Sequence, residues 1–357
     1  MIPSPAAATP RLTSLSHGGG CGCKIAPGVL RDILSKTSQM VVPPELLVGI
    51  ETSDDAAVYL LNDEQALVAT TDFFMPVVDD PFDFGRIAAT NAISDVYAMG
   101  AQPILALALV GMPVNVLSTE VIAQILQGGQ QVCQLAGIPV AGGHTIDSVE
   151  PIYGLVVLGL AHPSRIRRNA SAQVGDQLVL GKPLGVGVYS SALKKQQLDA
   201  QGYRDMVAVT TQLNKPGSVL SAMDAVHAIT DVTGFGLAGH ALEIARGSGL
   251  DVGIQWSRVP FLPQAQALAQ AGCITGASGR NQQSYFEQVV LPTSGWDAVQ
   301  SALLSDPQTS GGLLVSCAPA AVDEVLAVFH AQGFAQAAVV GQIQPRQEAS
   351  PRLRIQA

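Results

Sequence analysis

The chain has 357 residues, 48 % of them hydrophobic and only 13 % charged, which excludes a disordered chain and suggests two domains. Its 19 Lys and Arg against 28 Asp and Glu leave a net charge of −9, which argues against a nucleic-acid backbone binder. Five cysteines, only two of them close together, are not a disulfide framework.

The first 25 residues, rich in Pro, Ala, Gly and Ser, read as a mobile arm. They lack the basic-then-apolar order of a secretory signal. Pro27 opens a short helix with Val29, Leu30 and Ile33 at helical spacing. Two strands are expected at 56–61 and 66–71, joined by a polar turn. A helix capped by Asp83 then runs through Met99 to Gly100, and a strand covers 104–110. A helix from Ser118 or Thr119 to about Leu135 ends at Gly137, with strands at 138–141 and 152–160. The stretch 103–113 is too short, and too closely bounded by proline, to span a membrane, so it reads as a buried strand.

The polar, basic stretch 162–175 reads as an interdomain linker. Beyond it, strands are expected at 177–180, 252–254, 313–317 and 337–343, with helices near 204–224, 235–247, 263–271 and 320–332. Strands and helices alternate in both units, so the class is α+β, of mixed α/β type, in two domains. The domains are read as an arm over 1–45, an N-terminal domain over 46–162 and a C-terminal α/β domain over 163–357.

Three groups of residues carry chemistry. In Ser16-His-Gly-Gly-Gly-Cys-Gly-Cys-Lys24, four glycines let backbone approach an anion, and a thiol near a lysine is expected to be more thiolate-like. Half of a zinc site is the competing reading, but no second Cys/His pair completes it. Aspartates form the second group: Asp54 and Asp55 before a strand, Asp72 after one, Asp95 on a helix and Asp231 after Ala228-Ile-Thr. Asn91 and Asp95, four apart, face one side of their helix. Such hard oxygen ligands suit a divalent cation with phosphates, although Asp also serves in caps and turns. The third group is polar glycine turns: 141–145, which bears Gly143, His144 and Thr145, then 230–236 and 306–312. None is a Walker loop. Cys133, Cys273 and Cys317 read as packing residues.

These segments resemble the selenophosphate synthetase family, part of the aminoimidazole ribonucleotide synthetase-like superfamily. The resemblance runs from about Arg11 to Ile355, and the Gly-Cys-Gly-Cys-Lys arm is its most specific motif. It implies that ATP, selenide and water are converted to selenophosphate, AMP and orthophosphate, with Mg²⁺. It implies a homodimer whose N-terminal sheets pair into a barrel, with a selenium-delivery protein as partner, while the charge, the hydropathy and the lack of a secretory signal read as a cytoplasmic protein with no nucleic-acid or membrane partner. Carried over by position, Cys21 and Lys24 are catalytic. Lys24, Thr52, Ser53, Asp54, Asp72, Asp95, Gly143, His144 and Thr145 contact ATP, the last three from the partner subunit. Asp55, Asp95 and Asp231 hold the metal. A superfamily kinase with another acceptor would share the aspartates but leave Cys21 and Lys24 unexplained, and a non-catalytic nucleotide- or metal-binding protein would need no reactive thiol.

Overall fold

The computed structural model describes residues 10–25, 27–37, 42–49 and 54–356. The first layer contains α1 (Pro27–Ser35), β1 (Leu46–Val48), β2 (Ala57–Asn62), β3 (Gln65–Phe74), α2 (Pro81–Ala98), β4 (Gln102–Met112), α3 (Thr119–Ala136), β5 (Val140–Asp147) and β6 (Ile152–Ala161). The strands form a six-stranded sheet in the order β1-β2-β3-β6-β4-β5, antiparallel except for the β4–β5 pair. Period-two alternation sets its two faces. Val58, Ala66, Val68, Ala106, Leu155 and Val157 are fully buried beneath the helices. On the opposite face Tyr59, Leu67, Leu107, Val156 and Leu158 all retain solvent exposure.

Helix α2 is buried almost all round, as its small and apolar sequence requires, and it packs on β3, β6 and the second unit's β8 (Val226–Asp231). Its cap is Asp80, whose side chain accepts from Asp83 N, so the helix starts before the expected Asp83. Pro81 in the first turn makes that earlier start favourable. Helix α3 keeps its expected ends, with Ser118 as N-cap and Gly137 in the left-handed conformation.

After residues 162–175 come β7 (Gln177–Leu180), α4 (Val186–Lys194), α5 (Ala200–Thr210), α6 (Pro216–Leu220), β8, α7 (Gly236–Ser248), β9 (Asp251–Gln255), α8 (Ala265–Gln270), α9 (Gly276–Tyr285), β10 (Val289–Val290), α10 (Ala298–Leu304), β11 (Leu313–Cys317), α11 (Val322–Ala331), β12 (Ala338–Gln344) and β13 (Leu353–Gln356). The strands form a seven-stranded sheet in the order β10-β13-β9-β12-β7-β11-β8. The single helix expected near 204–224 is two, α5 and α6, because Pro216 cannot continue a helix and starts a new one at its first position. No helix among the described residues is long and apolar enough to cross a membrane.

Candidate active site

Helix α2 turns Asn91, Ser94 and Asp95 toward one side, since residues three and four apart share a helix face. Asp72, on the helix-facing side of β3, lies opposite Asn91, whose Nδ2 donates to Asp72 Oδ2 at 2.6 Å. Asn91 Oδ1 accepts from Ser310 N at 2.7 Å and from the Cys21 thiol at 3.1 Å. One buried amide therefore ties together β3, the arm and the loop before β11. One helical turn on, Thr70 Oγ1 donates to Asp95 at 2.5 Å, Ser94 donates to Asp231 at the end of β8, and Asn214 Nδ2 donates to Ser94 Oγ at 2.7 Å. Thr230 Oγ1 donates to Asp55 Oδ1 at 2.9 Å.

The arm over residues 10–25 lies against this cluster. It is held at Arg11–Asp79, at His17–Glu150, and by Lys194 and Arg280 donating to the carbonyls of Ser16 and Gly22. A short turn of 3₁₀ helix, Gly20–Cys23, carries Cys21 inward until it is 1 % exposed. Gly20 makes this possible: its φ is +54°, and a Cβ there would stand 2.2 Å from Thr309 Oγ1. That hydroxyl accepts from Cys21 N at 3.1 Å. Lys24 Nζ lies 3.4 Å from Asp72 Oδ2.

The electrostatics depart from the expectation of an activated thiol. Burial, with Asp72 adding to it, pushes the Cys21 thiol well above its ordinary pKa, and Lys24 offsets this only in part. Cys23 is pushed up to about 11, mainly by burial. The Asp72 carboxylate raises the Lys24 ammonium well above the ordinary lysine value, so Lys24 is a fixed cation. In this arm position the thiol is neutral, because desolvation outweighs the nearby charge.

Burial, then the neighbouring carboxylates, also raise Asp55 and Asp95 well above the usual range, and burial raises Asp231. Among the described residues no three His, Cys, Asp or Glu side chains stand close enough to cage a metal ion unaided. The donor set nevertheless fits Mg²⁺. Carboxylates that repel one another need a cation between them, and Mg²⁺ characteristically takes one or two carboxylates together with waters and substrate phosphates.

The loop over 306–312 is more central than its turn-like sequence suggested. Gln308 Oε1 accepts from Gly185 N and Val186 N, both at 3.1 Å, and Asp306 Oδ2 accepts from Gly187 N at 3.0 Å and Val188 N at 3.3 Å. Four otherwise orphaned N–H groups at the start of α4 are thereby satisfied. Burial pushes Asp306 up to about 7 despite these bonds. Thr309 and Ser310 lie within the polar turn 306–312 that the sequence marks, without a role of their own there, while Asn214, Ser94, Thr70 and Lys182 carry no such mark beyond nearness to a motif residue, as with Ser94 beside Asp95.

Other expected residues lie elsewhere. Thr52 and Ser53 fall outside the described residues. Asp54 Oδ1 accepts from Asn169 N at 2.8 Å, fastening the interdomain stretch. Residues 141–145 are not a turn but part of β5, the exposed edge strand. A bulge in the β4–β5 pairing explains the glycines there, since a Cβ on Gly143 would sit 2.1 Å from Ala108 O. Gly143 stands in the cross-strand row of Asp72, through Ala108 and Leu155, while His144 stands in the row of Phe73, through Leu109 and Gly154. Three strand spacings, about 14 Å, separate β5 from β3. The structure therefore does not bring Gly143, His144 and Thr145 to the aspartates of their own chain.

Comparison with known proteins adds a family. The model for the AIR synthase related protein N-terminal domain matches residues 53–161, and that for the C-terminal domain matches 173–354. A selenide, water dikinase of Burkholderia pseudomallei is 67 % identical over 94 % of this chain and 95 % of its own length. One from Paraburkholderia xenovorans is 64 % identical over 95 % and 96 %. Among solved structures, a thiamine-monophosphate kinase from Stenotrophomonas maltophilia matches 91 % of this chain and 94 % of its own, with a TM-score of 0.60 and 20 % identity, a likeness of fold.

Proposed function

The chain belongs to the AIR synthase related proteins and, within them, to the selenide, water dikinases, and from that premise we propose that it makes selenophosphate from selenide, water and ATP, releasing AMP and orthophosphate. The observation that carries this reading is the docked arm, which seals a soft thiol, Cys21, and a fixed cation, Lys24, against the Asp72–Asn91 pair. Selenide is soft and easily oxidised, so a thiol-bearing lid that excludes water suits it. A lysine beside the reacting phosphate stabilises charge as it moves. Phosphoryl transfer asks mostly for such positioning and charge stabilisation.

In this reading Asp55, Asp95 and Asp231 hold Mg²⁺, which neutralises the ATP phosphates against an acidic protein. Thr52, Ser53, Asp54, Asp72 and Asp95 line the nucleotide site with Lys24. The arm lifts to admit substrate, because Cys21 is sealed as it stands. Residues 1–45 act as that arm, 46–162 as the nucleotide and dimer domain, and 163–357 as the second domain. The open, apolar face of the first sheet supports a homodimer, and Gly143, His144 and Thr145 then reach ATP from the partner subunit. The setting is cytoplasmic, with selenide handed over by a delivery protein.

The test is product analysis, by selenide-dependent AMP formation and phosphorus NMR. The unmodified chain and Cys23→Ser should make selenophosphate, while Cys21→Ser should bind ATP and make none. ADP as the sole nucleotide product would refute the dikinase reading. An active Cys21→Ser beside an inactive Cys23→Ser would reverse the assignment of the thiol.

A further inference from the structure

We propose that Lys182 is a positioning residue for this reaction, its Nζ tying the 306–312 loop to the α5–α6 connection and holding Ser310 in the backbone conformation that serves Cys21 and Asn91. The proposal rests on the dikinase reading for its kinetic consequence, though not for its structural one.

Lys182 stands two residues after β7 and is 1 % exposed, among the largest fully buried side chains of the described residues. Its Nζ donates to Gln212 O at 2.7 Å and to Ser310 O at 2.8 Å. Among the described residues no carboxylate lies within ion-pair distance of it. A buried, unpaired ammonium is an unfavourable choice for filling space. Burial indeed pushes its pKa down to about 7, with Asp231 pulling the other way. Its two carbonyl partners belong to two loops that both touch the site: Gln212 is two residues before Asn214, which holds Ser94, and Ser310 bonds Asn91.

Ser310 shows what needs holding. Its φ is +53°, a region that residues with a Cβ rarely adopt. Where Asn or Asp takes that conformation, the side chain often secures it by a local bond, but Ser310 Oγ is buried with no hydrogen-bond partner among the described residues. The conformation is secured from both sides by the main chain instead, with Ser310 N donating to Asn91 and Ser310 O accepting from Lys182. Thr309, the preceding residue, then meets Cys21 N, and Gly311 O accepts from Asn214. Strain held by surrounding structure at a reacting centre is a known means of pre-organisation. Releasing the lysine would let Ser310 relax and move Thr309 and the Ser310 N–H away from the arm and Asn91.

The experiment uses Lys182→Met, which keeps length and removes the donors, and the double variant Lys182→Met with Ser310→Gly, in which glycine adopts φ +53° without help. Two readouts are taken on the full chain: alkylation of Cys21 by iodoacetamide, resolved from Cys23 by tandem mass spectrometry, and selenide-dependent AMP formation. Lys182→Met should speed Cys21 alkylation about fivefold, as the arm loses its Thr309 anchor. It should lower kcat about tenfold to a hundredfold, with KM for ATP changed less than about threefold. The double variant should recover most of both losses, which a lysine acting only as filler would not allow. Cys21 protected as in the parent, or a double variant no better than Lys182→Met, would overturn the proposal. If Lys182→Met fails to fold while the double variant folds, the rescue is shown by yield alone. Failure of both to fold would assign the lysine to the fold and sink the idea. If the parent itself makes no selenophosphate, the dikinase reading fails, and the alkylation pattern still decides the clamp.

Discussion

Replacing Asn91 by Asp changes one amide nitrogen for oxygen, yet it should destabilise the protein in a strongly pH-dependent way. Asn91 is fully buried, and its Nδ2 donates to Asp72 Oδ2 at 2.6 Å. The variant puts two carboxylate oxygens at that separation. With an effective dielectric constant of about 20, two charges so close repel by about 6 kcal/mol. Protonating one carboxyl at pH 7 costs only about 4 kcal/mol, from roughly three pH units above its free pKa at about 1.4 kcal/mol each. The pair should therefore take up a proton, and the protonated group can donate as the amide did. Lys24, 3.4 Å from Asp72, attracts the extra charge and trims the penalty. The expected loss is ~3–4 kcal/mol at pH 7 and ~1–2 kcal/mol at pH 5. The sign follows from linkage. Between those pH values the native variant keeps a proton that the unfolded chain releases, so stability falls as pH rises. Urea unfolding of the parent and Asn91→Asp at both pH values measures it. An equal loss at pH 5 and pH 7 would show that the Asp72 contact does not govern the effect.

Asp55→Asn, Asp95→Asn and Asp231→Asn each remove a hard anionic ligand at constant size, so each should raise the Mg²⁺ needed for half-maximal AMP formation by about tenfold or more while the fold persists; unchanged Mg²⁺ titrations in all three would void the metal assignment. Gly20→Ala drives a methyl group into Thr309 Oγ1, so amide exchange over residues 16–25 should quicken and activity should fall. Parent-like exchange there would mean that the arm does not depend on this close approach. Sedimentation at micromolar concentration should give twice the chain mass, and a monomer would leave the open sheet face without its proposed partner.

Much of the chain could be read locally. Short apolar runs bounded by turn and proline signals placed β2, β3, β4 and β6 to within a few residues, because their sheet is buried on one face under α2 and α3. Ser118 and Gly137 marked the two ends of α3 because their cap chemistry is local. The four-residue spacing of Asn91 and Asp95 is enough to put both on one side of α2, and the Gly-Cys-Gly-Cys-Lys arm carries the family resemblance. Residues 141–145 were misread because glycines signal a turn and a bulged edge strand equally well. Only the pairing with β4 distinguishes the two.

The rest belongs to contacts between residues distant in the chain. Cys21 and Lys24 stand three residues apart in the sequence, but whether the thiol ionises depends on burial. The balance of desolvation, Asp72 and Lys24 exists only once the arm is docked. The segment 306–312 looked like one polar turn among several. It becomes the hinge of the site because Asn91, Cys21, Lys182, Asn214 and the start of α4 all converge on it, from separations of more than 90 residues along the chain. Sequence carries the chemical identity of groups and the local periodicity that shapes single elements. Which buried polar atoms find partners, and therefore which charges survive and which loops are held, is decided by tertiary packing, since desolvation and hydrogen bonding act over a few ångströms irrespective of chain distance.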